Sequence, residues 1–307
     1  MSRVLVTGAS GFIGSNLWRR LVREGAEIHC VSRHAQGGSV PRWWQADLTD
    51  PDEAADLLQR IRPDVIHHLA GLNSGSRDLD VVLPVLQHNL VATVNVLVGA
   101  VRANCGLVLL AGSLEEPEPE GQDFVPTSPY AAAKHAAGAF ARMLAALHDL
   151  RVVHLRVFMV YGPGQREPKV VPAVVMALLR GESPTLSSGL RPIDWIYIDD
   201  VVDAFVAAAK RPDLAGETLD IGSGELVTVR AVVEQIVETM ETDIEPAFGA
   251  LSDRPLERVR KADVERTREL LGWRARTTLT EGLGATIAWC RAEFEGRVPA
   301  AAEPAER

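Results

Sequence analysis

Eight residues near the start, Thr7-Gly8-Ala9-Ser10-Gly11-Phe12-Ile13-Gly14, constrain this chain more than any other feature. They separate a short apolar run, Arg3-Val-Leu-Val-Thr7, from an amphipathic stretch, Phe12 to Arg23, whose apolar face is Ile13, Leu17 and Leu21. Glycine lets the backbone turn tightly and approach a ligand closely. The helix that follows points free N–H groups and the positive end of its dipole at the turn, a ready site for a pyrophosphate. A strand, a glycine turn and a helix in this order predict a dinucleotide site made by Gly8, Ser10, Gly11, Phe12, Ile13 and Gly14.

The rest of the first half keeps this rhythm. Strands are predicted at Glu27–Ser32, Asp64–Leu69, Leu107–Ala111 and Arg151–Val157, with helices at Asp52–Ile61, Val82–Ala103 and Ser128–His148. Such alternation predicts an α/β protein, a Rossmann-type doubly wound parallel sheet with both faces covered. Beyond about residue 160, proline and glycine become frequent and loops lengthen. The expected organisation is a dinucleotide domain over 1–160 with returning segments at about 192–221. A smaller, discontinuous C-terminal substrate lobe is expected over 161–295, and a disordered tail over 296–307. Trp195–Ile198 and Thr218–Ile221 are expected to rejoin the main sheet.

Charge and composition remove several classes of function. Forty-one acidic residues against 32 basic ones leave a net charge of −9, which argues against a nucleic-acid binder working by phosphate neutralisation. Cys30, Cys105 and Cys290 lie far apart, offering neither a disulfide framework nor zinc-ligand spacing. His67 and His68 adjoin on a strand and face opposite sides, so no metal site is expected; one of them is expected to be a buried, hydrogen-bonded imidazole. The apolar run Val81–Val101 contains Pro84, Gln87, His88, Asn89 and Asn95, polar groups costing roughly 1–3 kcal/mol each in lipid. A buried helix and a soluble, cytoplasmic protein with no membrane partner and no targeting segment are expected.

Residues following each strand carry the chemistry. The second strand ends Cys30-Val31-Ser32-Arg33, with no carboxylate to hold a ribose 2′-hydroxyl, and Ser32 with Arg33 can contact a 2′-phosphate. NADP(H) is therefore favoured, with NAD(H) possible. Asp47, followed by Leu48, is placed to meet the adenine. Tyr130 and Lys134 stand four apart on a predicted helix and share a face. An adjacent cation favours the phenolate, so Tyr130 is read as the proton-transfer group, with Lys134 also reaching the nicotinamide ribose. Ser113, after the strand ending at Ala111, is placed to hydrogen-bond the same substrate oxygen.

With these residues in place, the chain resembles the extended short-chain dehydrogenases/reductases of the NAD-dependent epimerase/dehydratase family. The likeness runs over about residues 3–295. It rests on the glycine turn, His68-Leu-Ala70, Asn89, Ser113, Tyr130-x-x-x-Lys134, Leu155-Arg156, Val160-Tyr-Gly-Pro-Gly164, Ile196-Tyr-Ile-Asp-Asp-Val201 and Leu271-Gly-Trp273. The resemblance implies cofactor contacts at Leu69, Ala70 and Asn89, and a substrate that is a nucleotide sugar touching Asn73 and Met159. It also implies a homodimer formed through the helices around 82–103 and 128–148.

Three departures from the family pattern bear on the reaction. Sugar 4,6-dehydratases carry an Asp-Glu pair after the hydroxyl residue; here the pair reads Leu114-Glu115, leaving Glu115 alone as a candidate acid or base. The family's Phe-Asn is Phe158-Met159. The arginine usual before Asp194 is Ile193, with Arg191 two residues earlier, while Arg254 matches a second diphosphate-binding arginine. The leading expectation is an NADPH-dependent ketoreductase of a 4-keto sugar nucleotide. A nucleotide-sugar epimerase, a reductase of a non-nucleotide carbonyl compound and a non-catalytic dinucleotide-binding regulator stand as alternatives.

Overall fold

The computed structural model describes residues 2–37, 40–117 and 125–297. It divides into two compact units, Met1–Val157 with Val202–Asp220 and Glu265–Trp273, and Phe158–Val201 with Ile221–Val264 and Arg274–Arg307. The tail expected over 296–307 lies almost wholly outside the described residues.

The first unit is built on a seven-stranded sheet. Its strands are β1 (Arg3–Thr7), β2 (Glu27–Ser32), β3 (Arg42–Gln45), β4 (Val65–His68), β5 (Leu107–Ser113), β6 (Val152–Val157) and, last in the chain, a strand at Thr218–Ile221. In space the order is β3-β2-β1-β4-β5-β6 and then the Thr218–Ile221 strand. The first six run parallel, with Val4 opposite both Ile28 and Val65. Strand order reverses at β1, so the crevice beyond the carboxyl ends of β1 and β4 is where a ligand fits.

Helices α1 (Phe12–Arg23) and α2 (Pro51–Ile61) start in contrasting ways. Asp50 caps α2 by accepting from the N–H groups of Asp52 and Glu53, with Pro51 in the first turn. Helix α1 follows Gly11, which has no side chain to cap it, and its first turn carries no acid. Its donors stay available.

The predicted helix at 82–103 is interrupted. It runs as α3 (Val82–Val85), a π-helical turn at Leu86–Val91 and α4 (Ala92–Arg102). Leu79–Arg102 is long and apolar enough to cross a membrane, with a mean hydropathy of 1.7. Here Ala92, Val96, Leu97 and Ala100 pack into the core with Leu57, Leu58 and Ile61 of α2 and Ile66, Val108 and Leu110 of the sheet. Helix α5 (Pro129–His148) begins at Ser128, whose hydroxyl accepts from the Ala131 N–H.

The second unit has a three-stranded sheet of β7 (Met159–Tyr161), β8 (Pro192–Tyr197) and a strand at Leu226–Thr228. This corrects one expectation. Thr218–Ile221 does join the main sheet, but Trp195–Ile198 does not: β8 pairs parallel with β7 and antiparallel with Leu226–Thr228. The unit's core joins Ile193 and Trp195 of β8 to three helices, through Val171, Val174 and Val175 (helix Val170–Leu179), Val232, Val233 and Ile236 (helix Val229–Met240), and Leu283 and Ile287 (helix Leu279–Phe294). Buried Asp194 staples its loops, accepting from the N–H groups of Ser223, Gly224 and Ala262 and from the Ser223 hydroxyl.

Candidate active site

In the first unit the glycine turn is shaped by steric necessity. Gly8 has φ +65°, and a Cβ there would stand 2.7 Å from the Ala70 nitrogen. At Gly14 a Cβ would come within 2.2 Å of the Gly8 carbonyl oxygen, so helix and turn are closer than any side chain permits. These contacts are backbone to backbone and cannot relax by a rotamer change. Gly11 N–H donates to Gly8 O at 2.9 Å and closes the turn. A cradle of this shape leading into an uncapped helix start fits a dinucleotide pyrophosphate.

A polar chain ties the turn to the π-helical segment. Thr7 Oγ1 accepts from the N–H groups of both Leu69 and Ala70 at 3.1 Å, so its one proton goes to His68 Nδ1 at 2.8 Å. His68 Nε2–H then donates to Thr93 Oγ1 at 2.9 Å, and Thr93 donates to Asn89 O at 2.7 Å. The imidazole is held neutral, its pKa lowered by burial and by the Lys134 charge to about 3. Asn89 holds the Leu72 backbone, accepting from its N–H at 2.7 Å and donating to its carbonyl at 2.9 Å. The sequence-named Leu69, Ala70 and Asn89 thus belong to one hydrogen-bonded assembly. Asn73 follows it on an exposed loop.

At the end of β2, the Ser32 hydroxyl accepts from the His34 N–H, and Arg33 Nη1 approaches His88 Nε2 at 3.5 Å. Asp47 lies near both groups, and burial together with the Arg33 charge lowers the His88 pKa. Burial opposes ionisation of Asp47, but bonds from the Thr49 N–H and hydroxyl, with His88 and Arg33, hold its carboxyl below the usual range. The sequence placed no carboxylate at this strand end; the fold supplies one from the loop after β3. Leu48 beside it is buried. His88, carried on the π turn, had no sequence signal beyond its place in an apolar run.

Ser113, Tyr130 and Lys134 come together at the end of β5 and the start of α5. The Tyr130 hydroxyl is hydrogen-bonded with Ser113. Lys134 is buried and donates to the Ala111 carbonyl at 2.8 Å, with its Nζ 5.9 Å from the centre of the Tyr130 ring. Burial works against the expected phenolate. Burial pushes the Tyr130 phenol well above its ordinary range, the Ser113 bond offsets this in part, and Glu115 and Glu116 add to it. Burial thus favours the neutral phenol. Burial likewise lowers the pKa of Lys134, with Glu116 pulling it back up.

Glu115 has structural work. Its Oε2 accepts from the Ser128 hydroxyl at 3.0 Å, bracing the cap of α5, and its N–H donates to Ser113 Oγ. Leu114 N–H donates to Val157 O at 3.0 Å. The three cysteines are free, buried and inert, burial raising Cys30 and Cys290 to about 12 and Cys105 to about 11.

In the second unit Arg191 and Arg254 converge on one acid. Arg191 Nη1 pairs with Glu257 Oε1 at 2.8 Å and its Nη2 donates to Arg258 O, while Arg254 Nη1 lies 4.0 Å from the same carboxylate oxygen. Glu257 was not singled out by sequence reasoning. Met159, at the start of β7, packs partly buried against the core of this unit.

Comparison with known proteins shows the family to which the chain belongs. Residues 4–222 match the model of the NAD dependent epimerase/dehydratase family. The UDP-glucose 4-epimerase of Mycolicibacterium smegmatis is 32% identical over 311 residues, covering 94% of this chain and 98% of its own. A dTDP-glucose 4,6-dehydratase of Actinoplanes is 28% identical, covering 94% and 98% respectively. Among solved structures, MoeE5 in complex with UDP-glucuronic acid and NAD is 34% identical with a TM-score of 0.84, and UDP-glucose 4-epimerase with UDP-glucose from Thermotoga maritima is 25% identical with 0.86. Each covers 95% of this chain and 99% of its own. The chain is an enzyme of the extended short-chain dehydrogenase/reductase type and belongs to the NAD dependent epimerase/dehydratase family, in its nucleotide-sugar branch.

Proposed function

We propose that the enzyme epimerises a nucleoside-diphosphate sugar at C4 by removing and returning hydride at one carbon. The observation that carries this reading is the turn after β5. A 4,6-dehydration needs an acid to protonate the departing hydroxyl. Leu114 has no proton to give, and the neighbouring Glu115 carboxylate is engaged with Ser128. Ser113, Tyr130 and Lys134 serve oxidation and reduction without loss of water.

NAD, when bound, accepts and returns the hydride. The turn at Gly8–Gly14 would hold its pyrophosphate, Asp47 and Leu48 its adenine, and Lys134 its ribose. In the oxidation that comes first, Tyr130 as phenolate, favoured by the nearby Lys134 ammonium, takes the C4 hydroxyl proton; in the reduction that follows it returns that proton to the C4 oxygen, which Ser113 fixes. Arg191 and Arg254 receive the substrate diphosphate when it displaces Glu257.

A second reading, an NADPH-dependent 4-ketoreductase, is favoured by Ser32 and Arg33 at the end of β2. Asp47 weighs against it, because its carboxylate faces Arg33 and repels a 2′-phosphate. Incubation with UDP-glucose and UDP-glucuronic acid, followed by NMR of the sugars and mass spectrometry of released dinucleotide, separates the readings. C4 epimers formed without added cofactor, with NAD retained, are expected. Stoichiometric NADPH consumption when a 4-keto sugar nucleotide is supplied would establish the reductase instead, and a 4-keto-6-deoxy product from UDP-glucose would overturn both.

The same reading includes a cytoplasmic homodimer. Leu79, Leu83 and Leu86 before and within the π turn, and Phe140, Met143 and Leu147 on α5, are exposed apolar side chains on helices that pack against each other. A second copy covering them would remove that surface from water. Sedimentation equilibrium tests it, with Leu83→Glu and Leu147→Glu expected to yield monomers.

A further inference from the structure

Behind the Ser113–Tyr130–Lys134 group lies an acid the reaction as described does not use. Glu116 is 7% exposed and His154, on β6, 6% exposed. Glu116 Oε1 accepts from the Ser113 N–H at 2.7 Å and stands 3.2 Å from His154 Nε2. Two glycines make room for the pair. A Cβ at Gly112 on β5 would fall 2.2 Å from His154 Nε2 and 2.5 Å from Glu116 Oε1. A Cβ at Gly138 on α5 would fall 3.0 Å from His154 Cε1. Gly138 is four residues after Lys134, itself four after Tyr130, so one face of α5 presents phenol, ammonium and gap in succession.

We infer that Glu116, held by His154, is a positioning residue: it fixes the Ser113 backbone and balances the buried Lys134 ammonium. A buried carboxylate set against an imidazole is weak evidence for a stability role, since well-packed apolar residues of similar size usually do as well or better. Its placement against the amide of Ser113 gives it another use. The charged or titratable groups around Glu116 are Tyr130 and Lys134 on α5, His154 on β6 and Glu115 on its own turn, with Arg142 beyond the His154 ring. Burial disfavours the Glu116 anion, yet His154, the Ser113 N–H and Lys134 together hold its carboxyl below the usual range. Burial depresses Lys134, and Glu116 opposes that depression.

The inference rests on reading Tyr130 and Lys134 as the proton-transfer group, but its test does not require turnover. The chain has four lysines, Lys134, Lys169, Lys210 and Lys261, so carbon-13 labelling at Cε yields four titrating signals. Lys134→Arg assigns the one of interest. Glu116→Gln keeps the shape and removes the charge, and Lys134 should then titrate lower by about one pH unit or more, the other three unmoved. His154→Gln leaves the Glu116 anion uncompensated, and Lys134 should titrate higher. Opposite shifts from the two variants are the expected signature, and the alkaline limb of kcat should move with them while KM changes little. A Lys134 titration unmoved in folded Glu116→Gln would overturn the inference, as would shifts of one sign in both. Should Glu116→Gln fail to fold, the His154→Gln shift decides alone. If Tyr130→Phe kept full activity while the NMR shifts appeared, the catalytic reading would fail and the inference would stand.

Discussion

The two units solve recognition by different physical means. In the first, the candidate cofactor site is made of backbone: Gly8 and Gly14 sit where any Cβ meets main-chain atoms, and Thr7, His68, Thr93 and Asn89 lock the surrounding turns. In the second, the candidate anion site is made of long side chains, Arg254 being 58% exposed and 4.0 Å from Glu257. A rigid cradle suits a cofactor that is the same in every turnover. Flexible guanidiniums suit a substrate that enters and leaves in every turnover.

The largest effect should come from breaking the rigid side. Gly14→Ala forces a methyl group to within 2.2 Å of the Gly8 carbonyl, and the helix must move to admit it. Dinucleotide binding should be lost, and stability should fall by about 1–3 kcal/mol as for an overpacked core. Calorimetry with NAD and thermal melting measure both. Retained affinity would mean that the turn yields more easily than its contacts imply.

Tyr130→Phe leaves the cradle intact and removes only the proton. Turnover should fall about a hundredfold or more, the lower end of what positioned acid–base catalysis contributes, with cofactor affinity nearly unchanged. More than half of wild-type activity on the true substrate would remove Tyr130 from its assigned role. Burial raises the phenol's pKa and oxidation needs the phenolate, so kcat for epimerisation should rise with pH through the neutral range, as a pH–rate profile would show.

These two sites also show how far the sequence reaches. The glycine turn and the Tyr130/Lys134 spacing were legible because both are local: one is a run of eight residues, the other a single helical turn. Leu69, Ala70 and Asn89 were reached only through resemblance, and the bonds joining them cross from β1 to β4 to the π turn. Asp47 beside Arg33, and Glu257 between Arg191 and Arg254, depend on loops folding back and left no periodic signal. The misplacement of Trp195–Ile198 has a similar origin. A short apolar strand states that it is buried but not which sheet buries it.

His67 extends the comparison to the core of the first unit. It is fully buried on β4, 6.0 Å from Phe205, with no hydrogen-bond partner for either ring nitrogen among the described residues. Burial lowers its pKa to about 3, from the 6.5 it has in the open. The unfolded chain therefore binds the proton first, and stability falls as pH drops from about 6.5 towards 3. His67→Leu should stabilise the protein at neutral pH by about 1–2 kcal/mol through removal of unpaired polar atoms. It should also flatten the acid limb over that window. Urea denaturation at pH 7 and pH 5 tests it, and an unchanged pH dependence would remove His67 from the account.

Smaller effects are expected from the flexible side. Alanine at Arg191 or Arg254 should weaken binding of a UDP-sugar by about tenfold each, the low end for a charge-assisted bond. Dinucleotide affinity should not change. Equal binding by both variants and the wild type would shift the substrate away from diphosphates.

The smallest expected effect separates glycines that shape a site from glycines that do not. Gly284 lies inside the helix Leu279–Phe294, and a Cβ there meets nothing within 4 Å. Helical glycine costs about 0.8–1.0 kcal/mol relative to alanine, chiefly because it surrenders more backbone freedom on folding. Gly284→Ala should accordingly raise stability by somewhat less than about 1 kcal/mol, with no change in cofactor or sugar-nucleotide binding. Gly14 is also inside a helix, α1, so propensity alone assigns both substitutions the same favourable sign. Only the contacts differ, a carbonyl oxygen at 2.2 Å in one case and open space in the other. Paired melts of the two variants therefore isolate the steric contribution of the cradle from helix propensity. If both variants gained stability, close approach of α1 to the turn would have to be given up as the feature that defines the cofactor site.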